Sequence, residues 1–229
     1  MNKQEWEEFL DPYVQTVGEL KIKLRGVRKQ FLKKNQYSPI EFVTGRVKRR
    51  DSIVAKALKR GYDEAHLGEM EDIAGIRVMV QFVEDIYDVL ALIRKRSDFQ
   101  VLEERDYIRN QKESGYRSYH VIVSYTIDTI AGPHHVLAEI QIRTLAMNFW
   151  ATIEHSLNYK HRGDIPGDVR KRLSRAAEMA YALDNEMSAI REEIQEAQQL
   201  FEGTLNAQGN WPETDFDLGM DELEEDTDV

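Results

Sequence analysis

Ala138-Glu139-Ile140-Gln141-Ile142-Arg143-Thr144 alternates apolar and polar side chains from end to end. Successive side chains of a β-strand point to opposite faces, so Ala138, Ile140 and Ile142 enter a core. Glu139, Gln141 and Arg143 then share the other face. A solvated antiparallel strand shows the same alternation. The neighbouring segments decide what such a row is for.

Upstream, Met70-Glu71-Asp72 leads into Ile73-Ala74-Gly75-Ile76-Arg77-Val78-Met79-Val80, a β-branched run of strand length. Ala74, Ile76, Val78 and Val80 face one layer, and Arg77 stands on the other side with Gly75 leaving space beside it. Asp72 falls at the strand's mouth, where an acid reaches solvent and a metal. Val83 to Arg96 has the periodicity of an amphipathic helix, and Phe99 to Ile108 returns as a strand. That order predicts an α/β (α+β) fold, a mixed β-sheet flanked by helices. Glu113-Ser114-Gly115-Tyr116-Arg117-Ser118 is a polar loop running into a strand from Tyr119 to Ile127. A tyrosine beside glycine there presents a ring face to a planar base. A hairpin turn at Ile130 to His135 precedes the opening stretch, and Leu145 to Lys160 follows it as a helix. Glu154 and His155 at i, i+1 fall on different faces of that helix and read as packing residues or as residues that support a site from behind. The histidines show no zinc-ligand spacing.

Further upstream, Ile40 to Lys48 reads as a strand containing Gly45, with Arg46 and Lys48 on one face. Asp51 or Ser52 caps a helix from Ile53 to Arg60, closed by Gly61. Ser52, Lys56 and Lys59 share one side of it, so cations gather at a helix N-terminus, a natural seat for a polyphosphate. Before this strand, residues 3–10 read as a short helical turn ended by Asp11-Pro12. A long helix then carries Tyr13, Val17, Leu20, Leu24, Val27 and Phe31 on one face. Its other faces hold Lys21, Lys23, Arg25, Arg28, Lys29, Lys33 and Lys34 with no acid after Glu19, a solvated face or an anion site. From Asp168 to Phe201 apolar residues recur in steps of four and three, the heptad seam of a coiled coil. At 1.5 Å per residue that helix is roughly 50 Å long, so it is expected to pack on the first long helix, on another subunit, or on both.

Of the chain's net charge of −10, nine acids and no bases lie between Glu213 and Val229, leaving −1 for the rest. That tail reads as disordered and solvating. The chain has no cysteine, which removes disulfides, thiolate metal sites and a thiol nucleophile. With no apolar run of membrane-span length and no signal-peptide apolar region, the expected compartment is the cytoplasm.

Asp72 and Glu139 are thus two carboxylates on different strands, with no His or Cys in ligand spacing. Oxygen-only ligation by one or two carboxylates plus phosphates is how magnesium is usually held. With cations for a triphosphate and a tyrosine for a purine, the parts describe phosphoryl or nucleotidyl transfer. No Walker A sequence or protein-kinase glycine loop is present. Two other readings stand beside this one: an RNA-binding regulatory module built on residues 21–34 and 46–60, and a nucleotidyltransferase that moves AMP and releases pyrophosphate.

Asp72-Ile73-Ala74-Gly75-Ile76-Arg77-Val78, Gly115-Tyr116-Arg117-Ser118-Tyr119-His120 and Glu139-Ile140-Gln141-Ile142-Arg143-Thr144 together resemble the synthetase domain of the RelA/SpoT family of alarmone enzymes. The helix with Trp150, His155 and Tyr159-Lys160 is similar to that family's element after the Glu strand. Tyr119 departs from the Leu usual in long members, a packing change. The length and the absence of a His-Asp dipeptide make the chain most similar to the small, synthetase-only RelQ-type subgroup. The resemblance implies a nucleotidyltransferase-like fold and Mg2+-dependent transfer of pyrophosphate from ATP to the 3′-OH of GDP or GTP, giving ppGpp or pppGpp and AMP.

It also implies roles. Asp72 and Glu139 hold the metal, and Glu139 orients or deprotonates the attacking hydroxyl. Arg46 and Arg77 sandwich the adenine, while Lys48, Ser52, Lys56 and Lys59 grip the ATP phosphates. Tyr116 stacks on the acceptor guanine with Asn148 near its edge. Lys112, His120 and Gln141 lie along the acceptor's phosphates and ribose, with Arg105 a weaker member. Subgroup members are typically homotetramers, and some bind (p)ppGpp at a cleft between subunits or bind single-stranded RNA. Lys21, Arg25, Phe42 and Thr44 match the cleft positions. The expected organisation is residues 1–37 helical, 38–162 catalytic, 163–203 an oligomerisation helix and 204–229 a disordered tail.

Overall fold

A computed structural model describes residues 2–160 and 166–208. The acidic tail lies outside the described residues, as do residues 163–165 and the side chains of Tyr159 and Lys160. Contacts divide the chain into two units, residues 1–189 and 190–229.

In the first unit, five strands form one sheet: β1 (Phe42–Val47), β2 (Ala74–Val80), β3 (Phe99–Asp106), β4 (Tyr119–Thr129) and β5 (Gly132–Thr144). Their order is β1-β2-β5-β4-β3. Only the β2–β5 pair is parallel, so the sheet is mixed. The parallel register sets Gly75 opposite Glu139 and Arg77 opposite Gln141. It thereby brings together two polar rows that lie more than sixty residues apart in the chain.

The apolar row of β5 (Ala138, Ile140, Ile142) is fully buried with Ile76, Val78, Val121 and Val123. That face is covered by α1 (Lys3–Lys33) and α3 (Val83–Arg94) through Leu20, Leu24, Ile86, Val89, Leu90 and Ile93. A Cβ on Gly45 would lie 2.9 Å from side-chain atoms of Ile76 and Val17, so α1 crosses β1 where a side chain is missing. Tyr119 belongs to this face, its hydroxyl donating to Glu104 at 2.7 Å. It packs on the side of the sheet opposite Glu139.

Several expectations are corrected. α1 runs through Pro12 as one helix instead of breaking at Asp11-Pro12. Asn2 caps it in a capping box with Glu5, and the buried Trp6 and Tyr13 bracket the proline, so packing outweighs the lost backbone bond. Helix α2 (Arg50–Arg60) has Arg49 as its N-cap and no side-chain cap bond, in place of Asp51 or Ser52; its C-cap is Gly61 at φ 73°. Residues Glu64–Glu69 form a short 3₁₀ helix, and β5 begins at Gly132, inside the expected turn.

Helix α4 (Leu145–Lys160) follows β5 directly, and α5 spans Gly167–Gln208. Up to Ser188, the contacts of α5 are with α4, the Gly-Tyr loop, the end of β5 and the start of α3. The expected packing on α1 is replaced because a small cluster of Trp150, Ala151 and Ala177 draws α5 to α4. In the second unit, Ile194, Leu200 and Phe201 are exposed. Among the described residues, no helix is long and apolar enough to cross a membrane.

Candidate active site

The polar face of β5 opens onto two cavities. The first, about 240 Å³, is lined by Arg46 and Lys48 from β1 and the residue after it, Asp72 and Arg77 from the mouth and body of β2, and Glu139 and Gln141 from β5. The second, about 430 Å³, is lined by Lys112, Ser114 and Tyr116 from the loop before β4, Arg143 from β5, and Ala151, Thr152, Glu154 and His155 from α4. Arg46, Arg77 and Gln141 line both.

In the first cavity Asp72 Oδ2 accepts from Lys48 Nζ at 2.9 Å and Lys56 Nζ at 2.8 Å. Its Oδ1 is buried with no partner among the described residues. Burial pushes the Asp72 carboxyl up, but the two ammonium groups outweigh that and hold it below the ordinary carboxylate range. Glu139 is 9% exposed. Its Oε1 lies 2.8 Å from His120 Nδ1, and its Oε2 accepts from Gln141 Nε2 at 2.7 Å. Burial raises its pKa, and the bonds from His120 and Gln141 lower it further than burial raises it. Both carboxylates therefore stay ionised and face one cavity. An orphaned buried carboxylate oxygen in a cavity that also holds a second ionised carboxylate and no sulfur fits a hard divalent cation. Arg77 has its pKa lowered by burial and by Arg143 and Arg46 nearby, a crowding of cations that an anionic ligand would relieve.

In the second cavity the Tyr116 hydroxyl lies 2.7 Å from His120 Nε2 and accepts a bond from an Arg143 terminal nitrogen. Glu139, His120 and Tyr116 thus form a continuous hydrogen-bonded chain between the cavities. Lys112 Nζ stands 5.0 Å and Arg143 Cζ 5.1 Å from the centre of the Tyr116 ring. Arg143 also donates to Ser118 Oγ at 3.1 Å and Gln141 Oε1 at 2.7 Å.

Most of the other expected site residues lie elsewhere. Ser52 is half-buried and Lys59 exposed on α2, and neither lines either of these two cavities. Arg105 is held by Glu71 at 2.9 Å and by Glu103. Asn148 sits in α4 with its Oδ1 buried and without a partner among the described residues. Arg25 donates to the Val43 carbonyl on edge strand β1 at 3.2 and 3.1 Å, and Lys21 packs beside Gly45. Thr44 lines the first cavity beside Gly45 and Arg46, and Phe42 is exposed two residues before it on the same face of β1, so these four residues lie along one sheet edge.

Sequence reasoning missed six residues that line the second cavity, Ser114, Arg143, Ala151, Thr152, Glu154 and His155. Arg143 was visible as part of the polar row, yet its partners Ser118 and Tyr116 come from a distant loop. Glu154 and His155 were read as packing or supporting residues, but neighbouring positions about 100° apart on a helix both border one broad cavity directly.

Comparison with known proteins gives a consistent result. The family described as the region found in RelA / SpoT proteins matches residues 45–164. The chain is 56% identical over 201 residues to GTP pyrophosphokinase YjbM of Bacillus subtilis, covering 88% of this chain and 95% of that one. A GTP pyrophosphokinase family protein from Streptococcus pneumoniae superposes with a TM-score of 0.81 at 62% identity, over 87% of this chain and 98% of that one. Small alarmone synthetase 1 from B. subtilis, bound to its product pppGpp, superposes with a TM-score of 0.82 at 56% identity, over 84% and 100%.

Proposed function

The chain belongs to the RelA/SpoT family, and from that membership we propose that it is a GTP pyrophosphokinase making alarmone. It transfers pyrophosphate from ATP to the 3′-OH of GDP or GTP. The acceptor oxygen bonds to the β-phosphorus of ATP, the bond from that phosphorus to the oxygen bridging to the α-phosphorus breaks, and AMP leaves. The products are ppGpp or pppGpp. The observation that carries this reading is the pair of connected cavities, one with two ionised carboxylates among cations, the other beside Tyr116.

In this reading Arg46 and Arg77 flank the adenine, and their planar guanidinium groups suit stacking. Lys48 and Lys56 exchange Asp72 for the ATP phosphates, and Ser52 and Lys59 stand about one turn before and after Lys56 on α2. Asp72 and Glu139 hold Mg2+, which when bound neutralises phosphate charge. The lowered pKa of Glu139 keeps it ready to accept the 3′-OH proton. Tyr116 takes the guanine, with Asn148 at its edge. Lys112, His120, Gln141 and Arg105 attend the acceptor ribose and phosphates.

Exposed Leu183 and Met187 on α5, and Phe149, Ile153 and Leu157 on α4, support a homo-oligomer, the tetramer of the subgroup. The β1 edge with Lys21, Arg25, Phe42 and Thr44 is the corresponding place for product or single-stranded RNA. Its substrates assign the enzyme to the cytoplasm.

The test is chromatography of a reaction containing protein, MgCl2, ATP and GDP. AMP together with a 3′-pyrophosphorylated guanosine is expected. Release of pyrophosphate with AMP attached to the acceptor would replace this reading with nucleotidyl transfer.

A further inference from the structure

The loop that carries Tyr116 is held from behind by α5. Gly115 has φ 86°, and a Cβ there would lie 2.5 Å from the Cβ of Ala177, so only glycine allows this approach. Beside it, Arg117 points away from both cavities and is 7% exposed. Its NH2 donates to both carboxylate oxygens of Glu178, at 3.1 and 3.0 Å, and its NH1 donates to the Gly115 carbonyl at 3.3 Å. The guanidinium carbon stands 4.1 Å from the centre of the Tyr181 ring. Nearby, Trp150 Nε1 donates to the Leu173 carbonyl at 2.9 Å.

Burying an arginine is costly unless its interactions repay the desolvation, and hydrophobic residues of similar volume often stabilise a fold equally well. Arg117 also leaves its Nε buried without a partner among the described residues. Its interactions therefore serve placement more than stability. Tyr116 is fixed at two ends: its hydroxyl by His120 and Arg143, and its backbone by the contacts of Gly115 and Arg117 with α5.

We propose that Arg117 is a positioning residue for the acceptor nucleotide: by clamping the loop to Glu178 and Tyr181 of α5, it sets the Tyr116 ring where the acceptor base stacks. This rests on the acceptor role assigned to Tyr116 above. The ATP cavity shares no wall with the clamp, so losing Arg117 acts on the acceptor alone. The remaining anchor at the Tyr116 hydroxyl keeps the effect partial.

The experiment titrates GDP calorimetrically into the full-length protein saturated with a non-hydrolysable ATP analogue, and measures KM for ATP and GDP separately. Arg117→Ala is expected to raise the GDP Kd and KM about tenfold while the ATP KM stays within about twofold. Arg117→Lys keeps the charge but lacks the fork and the ring contact, so it falls close to Ala. Glu178→Gln keeps an oxygen acceptor without the charge and gives a smaller rise of about threefold. Thermal melts confirm folding, and Glu178→Gln, altered on the exposed side of the pair, decides the matter if Arg117→Ala does not fold. Unshifted GDP affinity in folded variants, or equal losses for ATP and GDP, overturns the clamp. A wild-type protein that makes no 3′-pyrophosphorylated guanosine overturns the assigned reaction instead, and the GDP titrations still judge the clamp.

Discussion

His120 Nδ1 lies 2.8 Å from Glu139 Oε1, with both side chains withdrawn from solvent. The contact aims the carboxylate and helps keep it ionised although it is buried. Glu139→Gln is close in shape but cannot take a proton. Turnover should fall by roughly 10²–10⁴, the usual share of a positioned general base, with ATP binding retained. Single-turnover AMP release together with ATP titration measures both. Unchanged turnover would remove Glu139 from the chemistry.

Tyr116 separates ring from hydroxyl. Tyr116→Ala should weaken GDP binding by about 1–3 kcal/mol, the worth of one base–aromatic contact, and leave ATP binding within about twofold. Tyr116→Phe keeps the ring and loses only the bonds to His120 and Arg143, so its loss should be smaller. Equal losses for both nucleotides in the Ala variant would make Tyr116 a structural residue.

Asp72 draws Lys48 and Lys56 together through one oxygen. Asp72→Asn leaves two neighbouring ammonium groups without their shared anion. Turnover should drop at least about 100-fold, and Mn2+ binding followed by electron paramagnetic resonance in the presence of ATP should weaken. Wild-type Mn2+ affinity in this variant would exclude Asp72 as a ligand.

Asp184 on α5 accepts the Thr144 hydroxyl at 2.7 Å, at the end of β5. Burial pushes its carboxyl up to about 6 from 3.8, against Thr144 and Arg117, which lower it, and with Glu84 adding to the rise. Because the folded value is the higher one, its contribution to stability is complete below about 3.8 and is lost as pH rises through about 6. Asp184→Asn should flatten the dependence of Tm on pH between about 4 and 6 and raise Tm at pH 7.5 by a few degrees. Calorimetric melts across that range check this; an unaltered slope would contradict it.

Leu183 is 53% and Met187 43% exposed, one turn apart on α5. Leu183→Lys should shift the mass in light scattering toward smaller species, since a charge at the centre of an apolar contact is not accommodated. A mass equal to wild type would move the subunit contact elsewhere.

Local pattern was enough for much of this. The alternation of Ala138 to Thr144 already separated core from site face, and the steps of three and four marked α3 within two residues and the start of α5 within one, although α5 runs on past Phe201 to Gln208. Asp72, Glu139, Arg46, Lys48, Arg77 and Gln141 stood out because charged and polar side chains in or at the mouths of apolar strands need a reason. Pro12 misled because its local penalty is real, while the burial of Trp6 and Tyr13 that offsets it is not local.

Residue type and spacing by themselves determined which side chains share a strand face or a helix side, since those periods are properties of the backbone. Only the tertiary structure decided which faces meet. The parallel β2–β5 register joins Asp72's cavity to Glu139, Glu71 holds Arg105, and α5 grips Arg117 across sixty-one residues. Such pairings depend on the packing of distant segments, where the energy of each contact is set by neighbours that no single stretch of chain contains.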